Sequence, residues 1–164
     1  MIRWGSTPDA EPGARDALPV RSEVRLRMKA RPAAHGVDGA WWPRSRDPAA
    51  EFPELVLVMS SWVGPVRRVT YHLDDWDAAG HEVAVDGWLV ELAGSATLER
   101  NTVLVSGTHQ RQRSLLVVPP DTPGGVARAL LWAAAGPKVV TSAEEMLTSN
   151  GVRLGLHIVD EERL

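Results

Sequence analysis

The sequence predicts an α+β domain: a twisted, mostly antiparallel sheet of five or six strands with two main helices packed on one face. Three observations lead there. Stretches such as "EVRLRMKAR" and "VRRVTYHL" alternate apolar and polar residues, the period of half-buried strands. The later strand segments follow one another across short turns, which favours antiparallel pairing. Asp47-Pro48 and Thr122-Pro123 each place a capping side chain before proline, at the head of an apolar helical segment. A partly closed barrel is the alternative arrangement of the same strands.

The elements run in this order. Residues 1–21, rich in Pro, Gly, Ala and Asp, read as a disordered tail. Val24, Leu26, Met28 and Ala30 then alternate with Arg25, Arg27, Lys29 and Arg31, giving a strand with one buried and one basic face. In the helix after Asp47, Pro53 predicts a break or restart near Phe52, while Leu55, Val58, Met59 and Trp62 keep helical spacing up to Gly64-Pro65. Val69, Tyr71 and Leu73 share a face of the next strand. "HEVAVDGWLVELAG" is a hairpin around Asp86-Gly87. "NTVLVSG" and "RSLLVVPP" flank the basic loop "THQRQR", and Pro119-Pro120 end the sheet. The Thr122-Pro123 helix runs to about Ala135. Thr141 and Glu144 suit a capping box for a short third helix, and "VRLGLHIV" reads as a weak edge strand or a tail. Residues 22–136 thus form a single α+β domain, followed by a C-terminal helix and weak strand or tail over 137–164.

The 164-residue chain contains no cysteine, which excludes disulfides, thiolate metal sites and a cysteine nucleophile and suits a reducing compartment. With no apolar leader and no apolar run of about 18 residues, neither export nor a membrane span is predicted, and the expected location is cytoplasmic. The net charge of −3 is unevenly spread: residues 1–50 carry nine basic and six acidic side chains, the remainder nine and fifteen. Only Lys29 and Lys138 among the basic residues are lysines, a bias that reflects a GC-rich genome more than a binding surface.

The most unusual stretch is "DGAWWPRSRD", residues 38–47, in a chain with seven tryptophans but one tyrosine and one phenylalanine. Pro43 holds Trp42 extended, and an extended Trp41 would then point to the opposite side. Burying one indole removes about 200 Å² from water, roughly 5 kcal/mol before entropy costs, so one of the pair is expected to anchor the loop. The other would face outward beside Arg44 and Arg46, whose guanidiniums suit an anion while the ring stacks on a flat group. The structural alternative pairs these arginines with Asp38 or Asp47.

"YHLDDWD" supplies His72, Asp74, Asp75 and Trp76. Its spacing matches no metal-binding loop; Asp74 suits a turn cap and Trp76 a core edge. No metal or cofactor is predicted. The strand bearing Arg25, Arg27, Lys29 and Arg31, with His109, Arg111 and Arg113, offers cations for nucleic acid but no interleaved aromatics, and an acidic chain favours their use as edge protection. Trp132 falls opposite the buried arc of its helix, as a partner surface or homo-oligomer contact, or as a cation–π pair with Arg128. No nucleophile elbow, phosphate loop or dinucleotide fingerprint is present.

"DGAWWPRSRD", "VTYHLDDW", "NTV", "LLVVPPDT" and the Ala-rich helix after them resemble a family of small actinobacterial proteins known only as a domain of unknown function. The resemblance covers about residues 24 to 135. It implies an actinobacterial cytoplasmic protein, and it carries no activity, cofactor or catalytic residue. The residues themselves point to a non-catalytic binding or regulatory domain for an anionic flat ligand or a protein partner. Its site would comprise Trp41, Trp42, Arg44, Arg46 and Asp38, joined by Asp74, Asp75 and Trp76. The alternatives are an enzyme acting on a small anionic substrate with His72, Asp74 or Asp75 as base, and a single-strand nucleic-acid binder.

Overall fold

β1 (Leu26–Met28) and β2 (Gly39–Trp41) precede the long helix α1 (Pro48–Val63). β3 (Arg68–His72) ends in a 3₁₀ turn, Leu73–Asp75. Two hairpins follow: β4 (Glu82–Val85) with β5 (Trp88–Ser95), then β6 (Thr102–Ser106) with β7 (Gln112–Val117). The helices α2 (Gly124–Ala135) and α3 (Ala143–Ser149) come last. This computed structural model describes residues 24–34, 36–136 and 142–152. The tail expected over 1–21, the capping residue Thr141 and the strand or tail expected after Val152 lie outside them.

Among the described residues the seven strands form one open mixed sheet in the order β1-β2-β7-β6-β3-β5-β4. The fold is therefore α+β, and the sheet does not close into a barrel. Pairing is antiparallel except between β2 and β7 and between β3 and β5. The strand beyond the expected five or six is β2, three residues read as part of a loop. It is too short to show a period. Gly39 is needed there because a Cβ would strike the Arg27 carbonyl of β1.

The two main helices lie on opposite faces of the sheet, not on one. Trp41, Leu115 and Val117 pack with Phe52, Leu55 and Met59 of α1. Their strand neighbours Ala40 and Leu116 join Trp42 and Val118 against Ala127, Leu130 and Ala134 of α2. Successive strand residues point to opposite sides, so both sides of β2 and β7 are interior. The unbroken apolar run "LLVV" in and after β7 is the sequence mark of such double burial.

α1 is continuous through Pro53, where a break was expected. A proline in the second turn removes one backbone bond, a cost of about 3 kcal/mol. Burial of Phe52, Leu55, Val56 and Met59, each about 1.5–3 kcal/mol, outweighs it. Asp47 caps this helix by accepting from Ala49 N at 3.1 Å. α2 lacks the expected Thr122 cap: Pro123 holds the cap position and makes no side-chain bond. Ser142 caps α3, its Oγ accepting from Glu145 N at 3.0 Å. Asp86 and Gly87 both take positive φ, as a tight hairpin turn demands.

Candidate functional site

Pro43 does split the indole pair, but neither ring faces outward. Trp41 is 2% exposed and Trp42 8% exposed. Trp41 stacks on Trp76 at 5.6 Å between centroids and leans on Phe52 at 6.0 Å, within the α1 core. Trp42 lies in the α2 core, and its Nε1 donates to the Pro120 carbonyl at 3.3 Å. The outward indole expected from the sequence is absent because the sheet is covered on both sides at β2.

The polar residues of the motif are tied into the same structure. Asp38 is buried, and its two carboxylate oxygens accept from Ala33 N at 2.6 Å and Ser114 N at 2.8 Å. The backbone N of Arg44 and the Ser45 hydroxyl both donate to Glu51 of α1. Arg46 Nη1 donates to the Asp75 carbonyl at 2.9 Å, and Asp77 N to the Arg46 carbonyl at 2.8 Å. Residues 38–47 thus lock β2 to α1 and to the end of β3.

At that end, Asp74 and Asp75 separate. The Asp74 side chain is 74% exposed. Its backbone N donates to Nδ1 of the buried His72 at 3.0 Å. Asp75 is 3% exposed, with Oδ1 accepting from Arg100 Nε and Oδ2 from Asn101 N, both at 2.6 Å. A carboxylate committed at both oxygens is poorly placed as a general base. Trp76 serves the core, in edge contact with Phe52 at 4.7 Å. Among the described residues no three His, Cys, Asp or Glu side chains group to hold a metal ion.

The cations in and beside β1 turn toward the segment after β2 and toward α2. Arg25 stacks on Trp42 at 3.6 Å from the ring centroid, Arg27 stacks on Trp132 at 3.9 Å, and Lys29 Nζ donates to the Gly136 carbonyl at 2.5 Å. The last contact places an ammonium at a helix C-terminus, where the backbone dipole favours it. Burial lowers the Arg25 pKa below the usual arginine value; the Arg44 cation adds to this and Glu51 opposes it. The cation over Trp132 is Arg27, not the expected Arg128, whose guanidinium folds back over Gly124. Trp132 stays 63% exposed. Arg27 and Lys29 therefore fasten the edge strand β1 to α2, and Arg25 fastens it to the segment after β2.

An open concave surface lies at the other end of the sheet. A groove of about 710 Å³ is lined by Arg67, Arg68, Glu82, Trp88, Leu89 and Glu91, with the Ser106–Thr108 turn as one wall. Gly107 lets that turn approach the end of α1, since a Cβ would strike the Val63 carbonyl. Trp88 is 39% exposed, with Nε1 donating to the Val66 carbonyl at 3.3 Å; Leu89 is 60% exposed. Arg68 and Glu91 pair across β3 and β5 at 3.0 Å. Arg67 and Glu82 are exposed and make no side-chain ion pair or hydrogen bond among the described residues. None of these residues stands in a recognisable sequence motif. The signal present was "WLV" after the Asp86-Gly87 turn: three consecutive apolar residues on a strand must place one on the face away from α1.

No curated protein and no solved structure matches the chain. No described helix is long and apolar enough to cross a membrane. One family model, described as "Family of unknown function (DUF5994)", matches residues 25–134, a span that includes both the tryptophan motif and the groove. The chain accordingly belongs to the DUF5994 family, to which no function is assigned.

Proposed function

We propose that this chain is a non-catalytic binding domain for a protein partner, and that its working surface is the groove at the start of β3 and β5. The observation that carries the reading is the exposure of Leu89 and Trp88 beside Arg67 and Glu82, two charges without partners among the described residues. Large apolar side chains in a concave surface rimmed by charges are what protein interfaces present. The lining balances two arginines with two glutamates, which suits a polypeptide better than the anionic flat ligand suggested by the 38–47 loop. That loop is spent on the fold. The same reading places the protein in an actinobacterial cytoplasm, supported by its cysteine-free, arginine-rich composition.

A photo-reactive residue at position 89 tests this in a total cell extract. Position 57 on α1, where Leu57 is 48% exposed, is the control. A discrete cross-linked adduct is expected from position 89 and none from position 57. Adducts from both positions, or from neither, would contradict the reading.

A further inference from the structure

We infer that the β1–α2 surface binds single-stranded nucleic acid, with one base stacked on Trp132 and the strand's phosphates on the cations around it. This surface is separate from the groove and does not rest on it: β1 is one edge of the sheet and β4 the other. Leu26 and Met28 pack on the α1 core, so Arg27 between them emerges on the α2 side. Its guanidinium lies 3.9 Å from the Trp132 ring centroid and covers one face of the indole. Trp132 is nevertheless 63% exposed, which leaves the other face open. Arg128 stands four residues earlier on the same side of α2, about 6 Å along the axis. Their exposed helix neighbours are Ala129 and Ala133, which raise nothing above the ring. The basic strand has no aromatic residue of its own; the fold brings it one from α2.

Charge selects an anionic occupant. β1 and α2 contain no acidic residue. Arg27 and Arg128 are both exposed, and among the described residues neither makes an ion pair or a hydrogen bond. Lys29 bonds a carbonyl rather than a carboxylate, so its charge is not cancelled. Asp121, just before α2, is exposed and forms no ion pair among the described residues. The open indole face narrows the class further. An acidic protein segment would meet the arginines and leave the ring bare. A nucleobase fills it, holding Trp132 between the base and the Arg27 guanidinium. Bases of a duplex already stack on one another, so an unpaired strand is the form that can offer one. Such contacts read backbone charge and a π face, so the binding is salt-sensitive and tolerant of sequence.

The test is fluorescence anisotropy of a labelled, mixed-sequence single-stranded oligonucleotide titrated with the purified full chain, starting at about 50 mM salt. The wild type is expected to bind the single strand more tightly than the same sequence as a duplex, and to lose affinity as salt rises. Trp132→Ala is expected to raise the dissociation constant about fivefold or more, and Trp132→Phe to recover most of that loss. Arg27→Ala and Arg128→Ala are each expected to weaken binding and flatten its salt dependence. All three positions are exposed, so melting curves close to wild type serve as the folding control. Poly-glutamate is the competitor from the other class of partner. Its displacing the oligonucleotide at equal charge concentration would assign the cations to an acidic protein segment and overturn the inference. So would a wild type that binds no strand at low salt, or binding that is indifferent to Trp132→Ala. Adducts from position 89 bear on the groove alone, so the two readings fail separately.

Discussion

Trp41→Ala is expected to lower the unfolding free energy by about 4 kcal/mol. The ring is 2% exposed and touches Trp76 and Phe52, which in turn contact each other, and Phe52 also meets Tyr71. Its removal leaves a cavity between β2 and α1 that rigid aromatic neighbours fill poorly, so the loss exceeds the transfer energy of the side chain alone. Trp132→Ala provides the contrast. That indole is 63% exposed and its main contact is the Arg27 guanidinium, so the loss should be about 1 kcal/mol or less. Urea denaturation of the two variants, read as midpoint shifts at a common slope, measures both. Equal losses would mean that Trp41 is not the core residue described above.

Asp75→Ala is expected to cost about 3 kcal/mol, with Asp74→Ala within about 0.5 of wild type. The Asp75 carboxylate satisfies Asn101 N at 2.6 Å, and Asn101 is held at a φ of +60°, a conformation that side chains other than glycine adopt at a cost. It also binds Arg100 Nε, whose side chain is 43% exposed, so solvent screens part of that interaction and most of the loss comes from the orphaned backbone donor. Asp75→Asn should fall between the two, because an amide accepts one of these bonds but presents an NH₂ group to the other donor. The same denaturation series orders the three variants. A neutral Asp75→Ala would release this residue from its structural role and return it to consideration as a general base.

Both predictions concern residues that the sequence singles out for binding. Local periodicity and turn chemistry made most of the elements legible: the Asp86-Gly87 hairpin, the α1 cap at Asp47 and the helix after Pro123 were all readable. The split of Trp41 from Trp42 was also readable, because proline restricts the residue before it. What sits on each side of the strand was not, because that depends on strand order. β2 pairs with β7, more than seventy residues away in the chain, and no local pattern encodes that pairing. With α1 on one side and α2 on the other, an indole that looked free became core. The groove was hidden for a related reason: Arg67, Glu82 and Leu89 are unremarkable singly and become a surface only when β3, β5 and β4 lie side by side.

The most direct test of the interior placement of both motif tryptophans is hydroxyl-radical footprinting of the native chain, with fragmentation that distinguishes adjacent residues. Trp132 and Trp88 should be oxidised in the folded protein, and Trp41, Trp42 and Trp76 protected until denaturant unfolds it. Oxidation of Trp41 or Trp42 in the native state at the rate of Trp132 would contradict this placement and put an open indole back beside Arg44 and Arg46.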